Sequence, residues 1–235
     1  MSAELTELKD LTRALKRRAA QSDASDWMSP PRQAPAKTGT LGELAEKIHA
    51  CRSCPLGAQR IQAVPGVGSA QAQVMFIGEG PGFQEDHKGE PFVGRSGQLL
   101  DKIMGSIGLS RKTVYIANIV KCHPMKNPKD PESHGNDRPP TPEEMAACRG
   151  WLEAQIRAVR PKVIVTLGAV PARALLNDQT PITKIRGQWR VYDPGEGLSA
   201  IKLLPTFHPA ALLRNPDLKR DVWVDMKNLQ KELSR

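Results

Sequence analysis

The chain has 235 residues, of which 39% are apolar, 25% charged and 4% aromatic, and it carries a formal net charge of +9 at pH 7. This length is enough for one domain of ordinary size, and the positive charge favours a polyanionic partner. No apolar run approaches the ~20 residues of a membrane span, and the N-terminus lacks a secretory signal pattern, so membrane and secreted classes are disfavoured. Four cysteines are few for a disulfide scaffold, which indicates metal or redox chemistry in the reducing cytoplasm.

The first 40 residues are predicted to stand apart from the rest of the chain. Their leucines recur at spacings of three and four among charged residues, as in one amphipathic helix: Leu5, Leu8, Leu11 and Leu15. After Ala20 the chain becomes rich in proline and serine and loses its periodicity, which is typical of a linker. We therefore expect a helix and linker over residues 1–40, with the helix available to a protein partner, and a main domain over residues 41–235.

Beyond residue 40, strand and helix patterns alternate. Four short apolar runs rich in β-branched residues are predicted to be strands: residues 74–77, 114–120, Val163–Leu167 and 203–207. Helical patterns precede, separate or follow them: Leu41–Ala50, residues 97–107, Pro142–Val159, Ala169–Leu176 and residues 217–233. This alternation predicts an α/β fold of three layers, with helices on both faces of a short, mostly parallel sheet.

Chemically useful residues follow the predicted strands. Four features carry them: Gly78-Glu79-Gly80-Pro81-Gly82, Pro91-Phe92-Val93-Gly94, Asn118 and Phe207-His208-Pro209. Because the carboxyl ends of parallel strands meet at one edge, we expect a carboxylate, an aromatic ring, an amide and an imidazole to share one cleft. Taken singly, each has a simpler interpretation, as a turn, a core aromatic, a strand-end amide or a loop cap. The glycines do not match the G-x-G-x-x-G fingerprint, so a nicotinamide cofactor is disfavoured.

The cysteines have the spacing of a metal site. Cys51 and Cys54 form a C-x2-C pair, and Cys122 and Cys148 can complete a set of four thiolates. Spacing alone does not distinguish zinc from a [4Fe–4S] cluster. The alternative is that the cysteines are unliganded or redox-active, with Cys122 and Cys148 serving as small buried residues.

Taken together, the motifs resemble those of the family 4 uracil-DNA glycosylases from about residue 51 to residue 233. The matching segments occur in the family's order: residues 78–82, 85–86, 89–100, 115–122, 183–189 and 207–209. The resemblance implies the uracil-DNA glycosylase-like form of the α/β fold. It also implies a monofunctional enzyme that starts base excision repair on uracil-containing DNA, and a [4Fe–4S] cluster held by Cys51, Cys54, Cys122 and Cys148.

The same resemblance assigns roles at the site. Phe92 would stack on a flipped uracil, Asn118 would pair with its O4 and N3–H edge, and His208 would donate a hydrogen bond to O2 of the departing base. Family 1 enzymes have a water-positioning aspartate and a methyl-excluding tyrosine where this chain has Gly80 and Gly82, so neither role transfers to them. Gly80 is expected only to border the substrate.

A carboxylate and DNA contacts are also expected. Among the nearby acids, Glu79 is favoured as the catalytic carboxylate and Glu85 is next. Leu212 is expected to enter the gap left by the flipped base, although a leucine in such a loop is more often a core residue. Three basic residues are expected to contact phosphates, and without the resemblance each is also explained as surface charge: Arg214, Lys184 and Arg186.

Two other functions compete with this one. A uracil-DNA-binding relative traps its substrate covalently through a histidine in an Arg-rich loop, and this chain has His134 in that region. Its neighbours are not Arg-rich, however, and Gly80 stands where that relative has glutamine. The other alternative is a non-catalytic, metal-stabilised module of the zinc-ribbon kind that binds nucleic acid. Turnover is therefore favoured. Separately, we expect the enzyme to be a monomer.

Overall fold

The computed structural model describes residues 39–195 and 198–234. The predicted N-terminal helix and almost all of its linker lie outside these ranges, so the division at residue 40 stays a prediction. Within the described part of the chain, no helix is long and apolar enough to cross a lipid bilayer.

A six-stranded sheet forms the centre of the described domain. Its strands are β1 (Val67–Gly68), β2 (Val74–Gly78), β3 (Tyr115–Asn118), β4 (Val163–Leu167), β5 (Arg190–Tyr192) and β6 (Ile201–Thr206). They lie in the order β1-β3-β2-β4-β6-β5. The four inner strands are parallel, while the short edge strands β1 and β5 are antiparallel to their neighbours. All residues of β2, β3 and β4 are buried, as expected for parallel strands covered on both faces.

Nine helices occur in the described ranges. They are α1 (Leu41–Ala50), α2 (Leu56–Gln59), α3 (Phe83–Lys88), α4 (Arg95–Gly105), α5 (Pro142–Val159), α6 (Ala169–Leu176), α7 (Ile182–Ile185), α8 (Pro209–Arg214) and α9 (Leu218–Leu233). Capping boxes begin α1 at Thr40 and α5 at Thr141, because each threonine hydroxyl accepts from the third helical N–H while Glu43 or Glu144 reaches back.

Helices cover both faces of the sheet. Leu152 and Ile156 of α5 belong to one buried cluster with Ile77 and Ile164. On the other face, residues of α4 and α9 pack with Phe76 in a second cluster. The predicted three-layer α/β fold is therefore confirmed. The bounds of α1, β4, α5 and α6 agree with the sequence prediction, whereas β3 is shorter at both ends and α4 begins and ends two residues earlier.

Candidate active site and cysteine cavity

The ends of β2, β3 and β6 bring the predicted site residues to one edge of the sheet. Gly78, the last residue of β2, is in register with Asn118, the last residue of β3. A Cβ added to Gly78 would lie 2.6 Å from Cζ of Phe92 and would also collide with Oδ1 of Asn118. The rings of Phe92 and His208 lie 5.5 Å apart between centroids. An aromatic ring, an amide and an imidazole thus share one cleft, and only glycine at position 78 leaves room for them.

Phe92 is held in an unusual backbone conformation. Its φ angle of 56° lies in the left-handed region, although the residue is neither glycine nor asparagine. The Glu85 carboxylate accepts the N–H groups of Val93 at 2.9 Å and Gly94 at 3.1 Å. From the other side, the Arg111 guanidinium donates to the carbonyls of Pro91 at 2.9 Å and of Phe92. These contacts hold the strained backbone in place, so the ring is fixed over the cleft before any ligand arrives.

Asn118 presents an unsatisfied polar atom beside the Phe92 ring. The residue is 1% exposed, and its Oδ1 has no hydrogen-bond partner among the described residues. Buried amides normally have partners, so an unpaired one needs an explanation. The backbone carbonyl oxygen of Asn118, in contrast, accepts a hydrogen bond from Nζ of Lys121 at 2.7 Å. The backbone of Asn118 is therefore anchored while its carboxamide remains available to a ligand.

His208 is poised as a neutral donor. Its Nδ1 accepts the N–H of Ala210 at 3.1 Å, which caps α8 and assigns the ring proton to Nε2. Burial, with a further contribution from the charge of Arg214, lowers the pKa of His208 to about 4. The imidazole therefore stays uncharged at neutral pH, with its Nε2–H free of the cap that engages Nδ1.

The two candidate carboxylates differ in their surroundings. Glu85 is buried and accepts three backbone N–H groups, the third from Gly82 at 3.2 Å, so it positions the Phe92 loop. Glu79 directly follows β2 and is half-buried, and this burial raises the pKa of its carboxyl. Gly80 packs against Val120, since an added Cβ would lie 2.9 Å from Cγ2 of that residue. Of the two acids, Glu79 is the one not committed to a structural task.

The predicted DNA contacts are only partly accessible. Leu212 is 1% exposed and belongs to the second core cluster, whereas the next residue, Leu213, is 42% exposed. The helical turn of α8 points these neighbours in different directions, so Leu212 as a wedge is corrected to a core residue. Arg214 and Lys184 are exposed. Arg186 instead binds Asp225 and the carbonyl of Asp221, which weighs against a phosphate contact.

Two sets of polar residues that support the site were not predicted from the sequence. Arg111 lies outside the recognised motifs, and no pattern in the sequence connects it to Phe92. The second set centres on the fully buried side chain of His123. Its Nε2 lies 2.6 Å from Oδ1 of Asp137, and its Nδ1 lies 3.5 Å from Oδ2 of Asp86. Burial alone would lower the pKa of His123, but the hydrogen bond with Asp137 and the nearby charge of Asp86 raise it to about 9. Asp86 also accepts the N–H groups of Ile61 and Gln62, so it links α3 to the segment after α2.

A second cavity lies between α1, α2, the segment after β3 and α5. Four thiols line it, none of them in a disulfide: Cys51, Cys54, Cys122 and Cys148. Arg60 and Lys121 also line it, and Arg60 donates to Sγ of Cys122 at 2.8 Å. Within the described ranges, no group of three or more His, Cys, Asp or Glu side chains has the geometry of a site for a metal ion. The potential metal ligands that line the cavity are all cysteine sulfurs, and Arg60 and Lys121 are their cationic neighbours.

Lys121 connects this cavity to the cleft. It is 1% exposed, and its ammonium donates to the Asn118 carbonyl and, at 2.7 Å, to Oε1 of Gln155. Burial lowers the pKa of Lys121 to about 8, and negative charge on Cys148 and Cys122 opposes that shift. A buried lysine of this kind was not predicted from the sequence, although Lys121 lies inside the recognised segment 115–122.

Comparison with known proteins places these features in context. The family model of the uracil DNA glycosylase superfamily matches residues 65–227. The type-4 uracil-DNA glycosylase of Archaeoglobus fulgidus is 39% identical over 194 residues, which cover 81% of this chain and 92% of that protein. The type-4 enzyme of Thermotoga maritima is 42% identical over 187 residues, or 78% of this chain and 90% of its own. A type-5 uracil-DNA glycosylase of Pyrobaculum aerophilum is 32% identical over 167 residues, 63% of this chain and 66% of that protein.

Proposed function

Because this chain belongs to the type-4 uracil-DNA glycosylases of the uracil DNA glycosylase superfamily, we propose that it hydrolyses the N-glycosidic bond of deoxyuridine in DNA and so starts base excision repair. One observation carries the proposal. The buried Oδ1 of Asn118 lacks a partner, and it lies beside the Phe92 ring. A flat base with an N–H group on its edge satisfies both features.

Recognition of the base depends on Phe92 and Asn118. A base in duplex DNA has to leave the stack before its glycosidic bond can be reached. The flipped uracil stacks on the Phe92 ring, which Glu85 and Arg111 hold in place. The Asn118 carboxamide accepts from N3–H and donates to O4. Cytosine presents an unprotonated N3 and an amino group at these positions, so both contacts become mismatched.

His208 stabilises the leaving base. As the N1–C1′ bond breaks, its electron pair goes to the uracil ring and negative charge grows on O2. The Nε2–H group donates to that oxygen, and this contact strengthens only as the charge develops, so it lowers the barrier. A neutral imidazole suits this role because the proton stays on Nε2 while Nδ1 remains hydrogen-bonded to the Ala210 N–H.

Glu79 completes the reaction on the sugar side. Loss of the base leaves an oxocarbenium-like sugar that needs a nearby negative charge and a water molecule. The Glu79 carboxylate stabilises this cation and accepts the proton of the water whose oxygen bonds to C1′. Its half-buried position strengthens the electrostatic interaction relative to bulk water. Glu85, the second candidate, instead uses its carboxylate to hold the Phe92 loop through three backbone N–H groups.

Contacts to DNA come from the end of α8 and from α7. We replace Leu212 by Leu213 as the side chain that fills the gap left by the flipped base, because Leu213 is the exposed apolar residue of this turn. Arg214 and Lys184 are exposed and contact phosphates, which adds to affinity without reading sequence. The monomeric state, the cytoplasmic location and a partner for the N-terminal segment stay predictions.

Cys51, Cys54, Cys122 and Cys148 fit a [4Fe–4S] cluster. The donor set is entirely sulfur, the thiols surround one cavity, and Arg60 donates to a sulfur as second-sphere groups do. Glycosidic hydrolysis moves no electrons, so a redox role is not required of the cluster. When bound, it would instead supply a structural cross-link between α1, α2, α5 and the segment after β3. Zinc in the same site is distinguished by the absence of the brown colour and absorbance near ~400 nm that iron–sulfur thiolates give.

The reaction is tested by incubating the purified protein with an oligonucleotide that contains a single uracil. Alkali then cleaves the strand at abasic sites, and a thymine oligonucleotide serves as the control. We expect free uracil and one cut in the uracil strand alone. A protein–DNA adduct that survives denaturation, with no more than one uracil released per protein molecule, would instead support the covalent alternative. Binding without either product would support a non-catalytic module.

A further inference from the structure

Lys121 spans the distance between the cysteine cavity and the base-reading residue. Its ammonium donates to the carbonyl oxygen of Asn118 at 2.7 Å and to Oε1 of Gln155 at 2.7 Å. Gln155 is itself fixed, because its amide nitrogen donates to the carbonyl of Pro65 at 2.7 Å and to the hydroxyl of Tyr115 at 3.2 Å. The lysine therefore has one defined position rather than a set of exchanging ones.

Sulfur atoms are among the other neighbours of Lys121. The residue lines the cavity of the four cysteines, and its backbone N–H donates to the side chain of Cys148. In the described part of the chain, the residues lining this cavity include no Asp or Glu. A buried ammonium ion without a counter-charge is strongly destabilising. Among the described residues that line this cavity, the four cysteines are the groups able to carry negative charge, and they carry it as thiolates when they bind a metal.

We propose that Lys121 is a positioning residue that neutralises the metal-bound thiolates on one side and anchors the Asn118 backbone on the other. This inference rests on the proposed function, and specifically on a [4Fe–4S] group in the cysteine cavity. Four thiolates give such a group a net negative charge, which is the counter-charge that the buried ammonium requires. Two hydrogen bonds of Lys121 thus couple the residue that reads the base to the metal site: Nζ donates to the Asn118 carbonyl, and the backbone N–H donates to Cys148. The metal itself takes no part in the hydrolysis.

The proposal makes a prediction about the metal site that does not depend on turnover. A cation beside an iron–sulfur cluster favours its reduced, more negative form, since net charge and hydrogen bonding set the reduction potential. Removing the charge of Lys121 should therefore make the potential more negative. A residue that only filled space would leave the potential unchanged.

The test compares Lys121→Met with Lys121→Arg, which keeps the charge, and with Lys231→Met, which removes an exposed lysine from α9. For each loaded protein, iron content, reduction potential and the single-turnover rate of uracil release are measured. In Lys121→Met we expect a more negative potential and a rate lower by about tenfold to a hundredfold, as for a lost hydrogen bond to a charged group. Binding to uracil-free DNA should be unchanged. Lys121→Arg should return the potential towards the wild-type value, and Lys231→Met should match wild type in all measurements.

Specific results would overturn the proposal. If Lys121→Met retains full iron with the wild-type potential, Lys121 is not the counter-cation. If its uracil release is also unaffected, it does not position Asn118. Should Lys121→Met fail to load iron, iron content is compared between Lys121→Arg and Lys121→Gln, and equal content in the two contradicts the role of charge. A wild-type protein with neither cluster absorbance nor uracil release would instead disprove the proposed function itself.

Discussion

Burial sets the charge of the two titratable side chains nearest to the proposed reaction. It lowers the pKa of His208 to about 4 and raises the pKa of Glu79 above its ordinary range. Both shifts favour the uncharged form of the group. Over the pH range in which Glu79 loses its proton, the His208 imidazole therefore stays neutral and keeps its Nε2–H donor. Any loss of activity on mild acidification should come from Glu79 rather than from the histidine.

The pH dependence of uracil release tests the role of Glu79. Its carboxylate is charged above the raised pKa, so the single-turnover rate should fall as the pH drops through that value. Glu79→Gln should lower the rate at neutral pH by about a hundredfold, the scale of one electrostatic contact at a transition state, and it should remove this acid limb. The exposed Glu90→Gln is the matched control. An acid limb that persists in Glu79→Gln would assign the titration to another group.

The neighbouring leucines of α8 separate a core role from a DNA role. Leu213→Ala should slow uracil release from duplex DNA, where the gap must be filled, more than from single-stranded DNA. Its free energy of unfolding should stay close to wild type because the side chain is exposed. Leu212→Ala should instead cost about 2–5 kcal/mol of stability, as for a truncated core leucine. Urea unfolding and the duplex-to-single-strand rate ratio measure these effects, and the reverse pattern would restore Leu212 as the wedge.

The short elements around Phe92 act together as a clamp. Glu85 in α3 accepts backbone N–H groups of the loop, and Gly97 in α4 allows the helix to approach so closely that an added Cβ would collide with the Phe92 carbonyl. Arg111, in the segment between α4 and β3, donates to that same carbonyl. The ring is thus positioned by contacts from three separate parts of the chain.

Loss of one part of this clamp should slow the reaction without unfolding the protein. Arg111→Lys keeps the positive charge but lacks the fork that reaches two carbonyls. We expect a fall of about tenfold in single-turnover uracil release, because a hydrogen bond from a charged group contributes about 1.5–3 kcal/mol. Arg149→Lys, at an exposed arginine of α5, is the control. A wild-type rate in Arg111→Lys, with unchanged thermal stability, would show that the clamp does not position Phe92.

At this scale the sequence predicts long elements better than short ones. The 18 residues of α5 carry a capping box and proline at the first turn, and their bounds follow from these local signals. The two-residue β1 and the six-residue α3 are too short to show a periodic pattern in the sequence, and they are stabilised by packing against their neighbours. Leu212 was misassigned for a related reason. The rotation of a short helix decides which of two adjacent leucines is buried, and the sequence alone does not specify that rotation.

Across the whole domain, the cysteine cavity joins segments that are far apart in the chain. It brings together Cys51 and Cys54, near the start of the described domain, with Cys148 in the middle of α5. The sequence predicted this set from spacing, because a C-x2-C pair is a local signal. The buried Lys121 and the His123 cluster depend on tertiary proximity, and no local signal exists for them.

A metal held in this cavity should stabilise the domain as a whole. Cys148→Ser should lower iron content and melting temperature together, because binding energy at a structural metal site is also folding energy. Gly150→Ala on the same helix is the control, since an added Cβ there meets no atom within 4 Å. It should keep the iron and melt at or slightly above the wild-type temperature. Full iron content and stability in Cys148→Ser would exclude this cysteine as a ligand.

The base specificity of Asn118 variants shows whether this cleft reads and releases uracil. Single-turnover release is measured for wild type, Asn118→Ala and Asn118→Asp on matched oligonucleotides containing uracil, cytosine or thymine. Unpaired polar groups cost about 1–3 kcal/mol each, so we expect Asn118→Ala to release uracil about tenfold or more slowly, with no gain on cytosine. Asn118→Asp should lose uracil activity and gain weak release of cytosine. Release of uracil by Asn118→Ala at the wild-type rate would show that this amide does not read the base.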